Sequence, residues 1–531
     1  MALRRIVLSL AVVLLLVAGV LPVAVMAGRS LVVDGRLGLA AYHGLLASSR
    51  QWELLGNSLR LAGLVTVAAV ALGVPAGLLL GRTDLPGRRA LGTLLALPLL
   101  LPPSVTAVAW MGAAAPSGPV VRLLGAGASA VLSSFLFGLP GTVLVLATAF
   151  APLVMLLVAA ALRSVPPRME EAGLLVARWP AVLLRVTLPL VAPGVLLAAA
   201  LVFLMALGEV SVPPTLRYPV FAVESLTRFA AFYDLAAATA AAMPLVALTA
   251  AVLGAEALLV RRTRGTTGME SRGAGRALVV PLGRWRRPAA VAAWSLAGLL
   301  VGLPLAVLLV RAGGAASYAE ALGRAGDALG RSLLLAALGG ALLAVVGFLL
   351  AVLAWERHGR LWAVPDAVAL FLFAVPAAVL GVGLIVTWNR PWANVVYATP
   401  LILLLGYLGH FTAVSLRLSR ASLELVPAGL VEAARVAGVG WGRRLLWVVA
   451  PGAWRGIAAA GLAGAAFCLR DVGMTLLVHP PGWDTLPVRI MTLAANGAPS
   501  LIAALSVILV AATLVPVVLL GAVLGRREVL P

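Results

Sequence analysis

The sequence predicts an all-α membrane protein of about twelve transmembrane helices, arranged as two tandem six-helix repeats. Of its 531 residues, 62% are hydrophobic and only 11% are charged, and a water-soluble domain cannot bury that much apolar surface. Uncharged runs of about 20 residues recur along the whole chain, and a helix of that length crosses the hydrocarbon core of a bilayer. The runs are too long and too continuously apolar for a membrane barrel, and a backbone in lipid must satisfy its own hydrogen bonds. Helices are therefore expected throughout.

The apolar runs divide into six predicted spans in each half of the chain. The first run, from Ile6 to Gly28, is longer than the ~7–15-residue apolar core of a secretion signal, so we interpret it as a retained helix. The predicted spans are 6–27, 55–80, 91–114, 131–162, 190–210 and 235–260, followed by 289–310, 330–354, 364–388, 396–416, 453–477 and 499–524. The first half is thus 1–260 and the second half is 289–531, and residues 261–288 join them.

The distribution of arginine predicts which side of the membrane each loop faces. The net charge is +21 and the chain has no lysine, so its permanent positive charges are arginines, but they lie in the gaps between apolar runs rather than in one patch. This pattern marks the cytoplasmic side of a multi-pass protein and disfavours a nucleic-acid partner. We therefore expect a multi-pass membrane protein with both termini inside the cell. The segment 261–288, rich in Gly and Arg, is predicted to be a flexible cytoplasmic linker.

The residues of metal sites, cofactor sites and nucleotide-hydrolysing sites are scarce. Without lysine the chain cannot carry the phosphate-binding loop whose Lys contacts nucleotide phosphates, so we do not expect it to hydrolyse ATP by that device. Cys468 is the single cysteine and the four histidines are scattered, which predicts no disulfide, no metal site and no cofactor.

The two halves repeat in the same order and direction. The segment Leu55–Leu59 resembles Leu329–Leu333, which predicts a parallel repeat about an axis along the membrane normal. Further pairs at matching positions are Pro102 with Pro376, Pro189 with Pro451, and Glu209 with Asp471. Prolines within spans, such as Pro102 and Pro376, predict kinks.

One short polar loop occurs in each half, at 163–189 and at 417–451. In the second loop Pro427 ends the preceding helix and begins a short one, because proline is disfavoured after a helical residue and favoured in a first helical turn. Glu432-Ala433-Ala434 continues that helix, Gly438 ends it, and Pro451 closes the loop at the membrane. The pattern predicts a helix–turn–helix outside the lipid.

Both loops resemble the "EAA" loop of permease subunits in binding-protein-dependent ABC importers. In that family the loop carries a coupling helix that sits in a groove of the ATPase subunit. The matching residues are Glu432, Ala433, Ala434, Gly438 and Pro451 in the second loop, and Glu170 or Glu171, Ala172 and Pro189 in the first. Two registers are open in the first loop, and either one replaces the turn glycine, by Val176 or by Ala177.

The residues that follow the second loop resemble the fused, two-half permeases of the ferric-iron type. They are Asp471–Leu477, Pro480-Pro481-Gly482 and Thr485–Ile490, and thiamine and phosphonate permeases share the layout. The resemblance implies a type I ABC importer fold in the bacterial inner membrane and a periplasmic or lipid-anchored solute-binding protein. It also implies that this chain is a transport subunit and not an enzyme, with ATP hydrolysis in two separate ABC ATPase subunits. It implies ferric iron or another small polar solute such as thiamine or a phosphonate. Whether the chain works alone or with another permease is open.

Glu209 and Asp471 are the candidate residues of the substrate pathway. A carboxylate in an apolar span is costly unless it faces a partner or water, and two of them could attract a cation in transit. The alternative is that Asp471 pairs with Arg470 or Arg489 and anchors its helix. The alternative function is an ion-gradient-driven secondary transporter with two six-helix repeats, which needs intramembrane ionisable residues. Glu209, Glu256, Asp366 and Asp471 are the few candidates for that role.

Overall fold

A computed structural model describes residues 2–33, 36–125, 127–232, 235–267, 278–356, 364–494 and 496–524. Up to the end of the first loop the helices are α1 Ala2–Leu15, α2 Leu21–Ser30, α3 Ala40–Ala47, α4 Ser49–Arg82, α5 Arg88–Leu100, α6 Pro103–Ala114, α7 Pro119–Leu124, α8 Gly127–Leu136, α9 Leu139–Arg163, α10 Pro167–Val176 and α11 Trp179–Val182. An antiparallel pair of two-residue strands, β1 Val32–Val33 and β2 Arg36–Leu37, follows α2.

The remaining helices complete the first half and form the second. They are α12 Leu188–Leu207, α13 Val212–Thr215, α14 Phe221–Phe232, α15 Leu235–Thr267, α16 Arg286–Ala297, α17 Leu303–Ala312, α18 Ala315–Glu356, α19 Val364–Ala374, α20 Ala377–Trp388, α21 Asn394–Tyr397, α22 Leu401–Leu423, α23 Ala428–Val436, α24 Trp441–Arg444, α25 Ala450–Gly452, α26 Trp454–Arg470, α27 Thr475–Val478, α28 Leu486–Ala494 and α29 Pro499–Leu524. Short π-helical segments join α1 to α2, α11 to α12, α16 to α17, and α24 to α25. The all-α membrane fold predicted from composition is confirmed.

The number of apolar helices agrees with the predicted spans. Within the described residues, nine helices are long and apolar enough to cross a bilayer, or twelve if each of three bent pairs is one span. Two of these bends lie at the prolines that match between the halves. The helix axis turns by 102° between Leu100 and Pro103 and by 104° between Ala374 and Ala377. Pro102 and Pro376 each precede the second helix of the pair in an extended conformation, which confirms the predicted kinks.

The described residues form two compact units, which do not follow the two halves of the sequence. The C-half unit comprises the described residues of 1–52, 222–246 and 314–529, and the N-half unit those of 53–221 and 247–313. Helices α1 and α2 thus belong to the C-half unit, and α16 and α17 belong to the N-half unit. The compact units therefore have other bounds than the predicted division at 260 and 289, which stays a prediction about repeats of sequence.

Within the C-half unit, α18 packs along α22 and α26, and α2 packs along α20. Gly409 of α22 allows the segment between α1 and α2 to approach closely, because a Cβ there would lie 2.6 Å from the carbonyl oxygen of Ala18. Within the N-half unit, Gly73 and Gly77 lie one helical turn apart on α4 and pack on the backbone of α9 in the same way. Small residues at such contacts are typical of packed membrane helices.

A buried hydrogen bond also repeats between the halves. In the N-half unit the Oγ of Ser58 accepts the backbone N–H of Phe221 at 2.8 Å. In the C-half unit the Oγ of Ser332 accepts the backbone N–H of Leu486 at 2.7 Å. Phe221 and Leu486 are the first residues of α14 and α28. Each of these helices comes after the membrane span that follows the polar loop of its half.

The end of the predicted linker is held in place. Residues 268–277 lie outside the described residues. Next to them, the N–H of Val280 donates to the carbonyl of Arg82 at 2.6 Å, and the N–H of Leu282 donates to Oδ1 of Asp84 at 2.9 Å. The prediction of a flexible tether over the whole of 261–288 therefore does not hold for residues 280–282.

Candidate coupling site

The first polar loop folds into a short helix followed by a turn and a second helix. Helix α10 begins after Pro166, which is extended, and ends at Val176. Ala177 and Arg178 are also extended and lead into α11. Together α11, the π-helical segment and α12 form a single apolar helix from Trp179 to Leu207, so Pro189 lies within a continuous helix.

The second polar loop has the same order of elements. Helix α23 begins after Pro427, which is extended like Pro166, and ends at Val436. After a turn, α24 begins at Trp441 and continues through a π-helical segment to Gly452. There the axis turns by 77° before α26, so the helix that contains Pro451 is separate from the span that follows. The helix–turn–helix predicted for this loop is present in both.

The two extended prolines fix the register that the sequence left open. Counted from Pro166 and Pro427, Glu171 takes the position of Glu432, and Glu170 takes the position of Val431. Burial follows the same register. Glu171 and Glu432 are exposed, whereas Glu170 and Val431 are buried.

Neighbouring residues agree with this register. Ala172 and Ala433 are both exposed, and the next residue is half-buried in each loop, Gly173 in the first and Ala434 in the second. The first loop therefore presents Glu171-Ala172 in the way that the second presents Glu432-Ala433, and Glu170 faces inward.

The missing glycine changes how the first helix of the loop ends. Gly438 has a φ of 73°, and the N–H of Val439 donates to the carbonyl of Ala434 at 3.0 Å, which is a Schellman-type helix end. At the corresponding place Ala177 has a φ of −146°, so the chain leaves α10 in an extended conformation without a left-handed residue. This turn is one residue shorter, and it requires no glycine.

A buried polar network fixes the first loop to the membrane helices of the N-half unit. Nη2 of Arg82, the last residue of α4, lies 3.3 Å from Oε2 of Glu170 and donates to the carbonyl of Leu162 at 2.9 Å. The other carboxylate oxygen of Glu170 accepts from Oγ1 of Thr187 at 2.8 Å. Arg82 and Glu170 are 2% and 0% exposed. The network joins α10 to the ends of α4 and α9 and to the start of α12.

A different network fixes the second loop at the equivalent helix end. With the spacing that relates Ser58 to Ser332, Arg82 corresponds to Glu356, the last residue of α18. Oε1 of Glu356 accepts from Nε1 of Trp441 at 2.9 Å, and Oε2 accepts from Nε of Arg4 at 2.9 Å. Val431, where the first loop has Glu170, lies in an apolar cluster with residues of α1, α18 and α22. At equivalent ends, α4 thus contacts the first loop through a cation, Arg82, whereas α18 contacts the second loop through an anion, Glu356.

Exposed apolar side chains at the tips of both loops were not foreseen from the sequence. Leu175 near the end of α10 is 87% exposed, and Val436 at the end of α23, the equivalent position, is 89% exposed. Val176 is 87% exposed as well. Apolar residues at the end of a short, Arg- and Glu-rich helix are the sequence signal that could have identified them. Exposed apolar groups flanked by charged ones are typical of protein–protein contact surfaces.

Glu209 and Asp471 each hold the start of the short helix that follows them. Oε1 of Glu209 accepts from the N–H and the Oγ of Ser211, at 2.8 and 2.5 Å. Oδ2 of Asp471 accepts from the N–H and the Oγ1 of Thr475, at 2.9 and 2.6 Å. In the described residues Arg489 pairs with Asp484, at 2.7 Å, rather than with Asp471. Both carboxylates therefore have a structural role whether or not they also line a pathway.

No described group of three or more His, Cys, Asp or Glu side chains could hold a metal ion. Of the candidates for an ion relay, Asp366 forms an ion pair with Arg417 at 3.1 Å.

Comparison with known proteins identifies transport permeases as relatives. No protein-family model matches the chain. The molybdenum transport system permease protein ModB of Azotobacter vinelandii is 34% identical over 166 residues, which are 29% of this chain and 68% of that protein. ModB of Escherichia coli K12 is 29% identical over 167 residues, 31% of this chain and 71% of that protein. A permease protein of Salmonella typhimurium named for 2-aminoethylphosphonate transport, PhnV, is 28% identical over 141 residues, 27% of this chain and 53% of that protein.

Proposed function

Because the chain belongs to the family of ABC transporter permeases that includes these molybdenum permeases, we propose that it forms the solute pathway of an ATP-driven importer. Its two polar loops, 163–189 and 417–451, bind two separate ATPase subunits. A periplasmic or lipid-anchored binding protein delivers the solute to the outer face. In this proposal the chain lies in the bacterial inner membrane with both loops and both termini in the cytoplasm.

The observation that carries the proposal is the repeated geometry of the two loops. Each presents an exposed carboxylate, Glu171 or Glu432, and an apolar tip, Leu175 or Val436, on a short helix that begins after an extended proline. A charged residue beside an apolar residue suits docking into a groove of another protein, because the apolar contact supplies affinity and the charge fixes orientation. An isolated loop would gain nothing from keeping these apolar side chains in water.

Contacts at the base of each loop support a route for mechanical force. Arg82 joins Glu170 of the first loop to the end of α4, and Glu356 joins Trp441 of the second loop to the end of α18. When ATP binding closes the ATPase subunits, each loop moves together with the long helix to which it is bound. This movement opens the pathway toward the outside.

The proposed solute is a small oxyanion. Two of the relatives are named for molybdenum and one for 2-aminoethylphosphonate. A phosphonate is an anion at neutral pH, and molybdenum in aerated water is the oxyanion molybdate. The binding of Glu209 to Ser211 and of Asp471 to Thr475 is consistent with this class, since neither carboxylate needs a transported cation as its partner. Ferric iron and thiamine, implied by the resemblance of residues 471–490, gain no support from these relatives.

Charge reversal in the loops tests the coupling role. The variants Glu171→Arg and Glu432→Arg are reconstituted in proteoliposomes with the ATPase and the binding protein, and uptake is measured beside ATP hydrolysis. We expect each variant to reach the membrane and to lose most of the uptake per ATP hydrolysed. The control is Glu424→Arg, because Glu424 is exposed at the end of α22, before the α23 helix that presents Glu432, and has only a surface pair with Arg420. Normal uptake in both loop variants would overturn the coupling role.

Two further measurements test the solute class and the energy source. Calorimetric titration of the partner binding protein with molybdate, 2-aminoethylphosphonate, ferric citrate and thiamine should give tight binding of an oxyanion. Tight binding of ferric iron or thiamine alone would replace the proposed solute but leave the importer proposal intact. Uptake driven by an ion gradient in vesicles without ATP would favour the secondary transporter instead.

A further inference from the structure

A groove of about 560 Å³ lies along α1 in the C-half unit. It is lined by Arg4, Arg5, Leu8, Ser9, Val12 and Val13 of α1, and by Leu353 of α18. The volume is in the range of sites that bind small organic molecules. Neither polar loop, 163–189 or 417–451, contributes a residue to its lining.

The lining residues form two parallel rows on α1. Arg5, Ser9 and Val13 follow one another at four-residue spacing, and all three are exposed. Arg4, Leu8 and Val12 form the adjacent row, in which Leu8 is buried. Residues four apart lie on one face of a helix, so the groove has a cationic end and an apolar end about 12 Å apart along the axis.

Among the described residues, the cationic end carries more positive charge than its carboxylate, Glu356, neutralises. Arg4 uses its Nε for Glu356, and its side chain is 31% exposed. Within the part of the chain that the structure describes, Arg5 forms no ion pair. Two further arginines, Arg443 and Arg444, lie on α24, which contacts α1. An anion at this end would therefore be attracted rather than repelled.

We propose that the groove binds one anionic phospholipid. The phosphate lies against Arg4 and Arg5, and the upper part of an acyl chain lies on Val12, Val13 and Leu353. A free phosphate or a soluble metabolite would use the arginines but leave the apolar end empty. A zwitterionic lipid would fit the apolar end but lacks the net charge that the arginines select. Basic grooves between membrane helices are suited to anionic headgroups for this electrostatic reason.

The position of the groove gives the lipid a consequence for the second loop. Arg4 and Trp441 bind the two carboxylate oxygens of the same residue, Glu356. A phosphate next to Arg4 thus lies at the contact between α18 and α24. Anionic lipid is therefore expected to strengthen the attachment of the second loop to α18, with no matching effect on the first loop.

Native mass spectrometry of the full chain, titrated with dioleoyl-phosphatidylglycerol or dioleoyl-phosphatidylcholine, tests the proposal. We expect one tightly bound phosphatidylglycerol and no comparable phosphatidylcholine. Arg5→Gln should weaken that binding about fivefold, the effect of one basic residue near a headgroup. Ser9→Trp, which fills an exposed position of the groove without changing its charge, should also weaken it. The control Arg89→Gln removes an exposed arginine at the start of α5 and should leave the tight binding unchanged.

Three outcomes would overturn the proposal. Ser9→Trp could bind phosphatidylglycerol like the parent chain, which would place the lipid elsewhere. Arg89→Gln could weaken binding as much as Arg5→Gln, which would indicate general attraction to a basic surface. Glycerol 3-phosphate could displace the lipid at millimolar concentration, which would indicate a site for phosphate alone. None of these results bears on whether the chain is an importer.

Discussion

Arg82 and Glu170 form a buried ion pair, with Nη2 and Oε2 3.3 Å apart, between the end of α4 and helix α10 of the first polar loop. Thr187 donates a hydrogen bond to Glu170, and Arg82 donates one to the carbonyl of Leu162. Such a pair holds two elements in one arrangement, because removal of either charge leaves the other buried without compensation.

Loss of one member of this pair is expected to be far more damaging than loss of both. Glu170→Ala leaves Arg82 buried and should lower stability by about 3–5 kcal/mol, whereas the double variant Arg82→Met, Glu170→Leu should recover most of it. Thermal unfolding in detergent measures the difference. Glu171→Ala is the matched control, since that neighbour is exposed and should have little effect. Equal unfolding temperatures for Glu170→Ala and Glu171→Ala would contradict the role assigned to the pair.

The exposed tips predict a separate effect on ATPase binding. Leu175→Asp and Val436→Asp should each weaken association with the ATPase subunit by tenfold or more, because in the proposed contact each places a charge on an apolar surface from which water is excluded. Val436→Ile keeps the apolar character and serves as the control. Affinity is measured by biolayer interferometry on the purified permease. If the aspartate variants bind like the isoleucine variant, the tips do not contact the ATPase.

Alanine substitutions at two glycines of the second loop are expected to change the stability of α23 in opposite directions. Gly438→Ala should destabilise the end of α23 by about 1 kcal/mol, because a residue with a Cβ is strained at a φ of 73°. Gly429→Ala lies within α23 in open space and should stabilise that helix by about 0.5–1 kcal/mol. Hydrogen exchange of the α23 amides reports both changes. Faster exchange in both variants, or in neither, would be inconsistent with the Schellman end.

The hydrogen bonds accepted by Ser58 and Ser332 predict similar losses of stability when either serine is replaced by alanine. Ser58→Ala and Ser332→Ala each leave a buried backbone N–H, of Phe221 or Leu486, without its acceptor. Each should cost about 1–3 kcal/mol of stability. Ser134→Ala is the control, because Ser134 bonds locally in an exposed setting. If only one of the two variants has a lowered unfolding temperature, the two hydrogen bonds do not contribute equally to stability.

The hydrogen bonds that Glu209 and Asp471 accept from Ser211 and Thr475 allow a structural role to be distinguished from a role in transport. Asp471→Asn retains an oxygen that can accept from Thr475 and should keep normal uptake, whereas Asp471→Ala should lose about 1 kcal/mol of stability. Uptake and unfolding are measured on both variants and on Glu209→Gln. A cation ligand would need the charge, so uptake lost equally in Asp471→Asn and Asp471→Ala would restore the pathway role.

The sequence by itself determined the membrane class, the helical fold, the repeat and the two polar loops. Each of these follows from local chemistry. An apolar run of sufficient length is helical in lipid, a proline can bend it, and a charged segment leaves the hydrocarbon. For this reason the bends at Pro102 and Pro376 were predictable, although their angles of more than 100° were not.

Only the tertiary structure decided which of two adjacent glutamates faces outward. Glu170 and Glu171 have the same chemistry and differ by about 100° around the axis of α10, so composition and spacing cannot separate them. The decision depends on Arg82 and Thr187, which the packing of α4 and α12 brings to one side of the loop. The tertiary structure also decided that α1 belongs to the C-half unit and α16 to the N-half unit. Long-range packing leaves no signal of this in the local sequence of either helix.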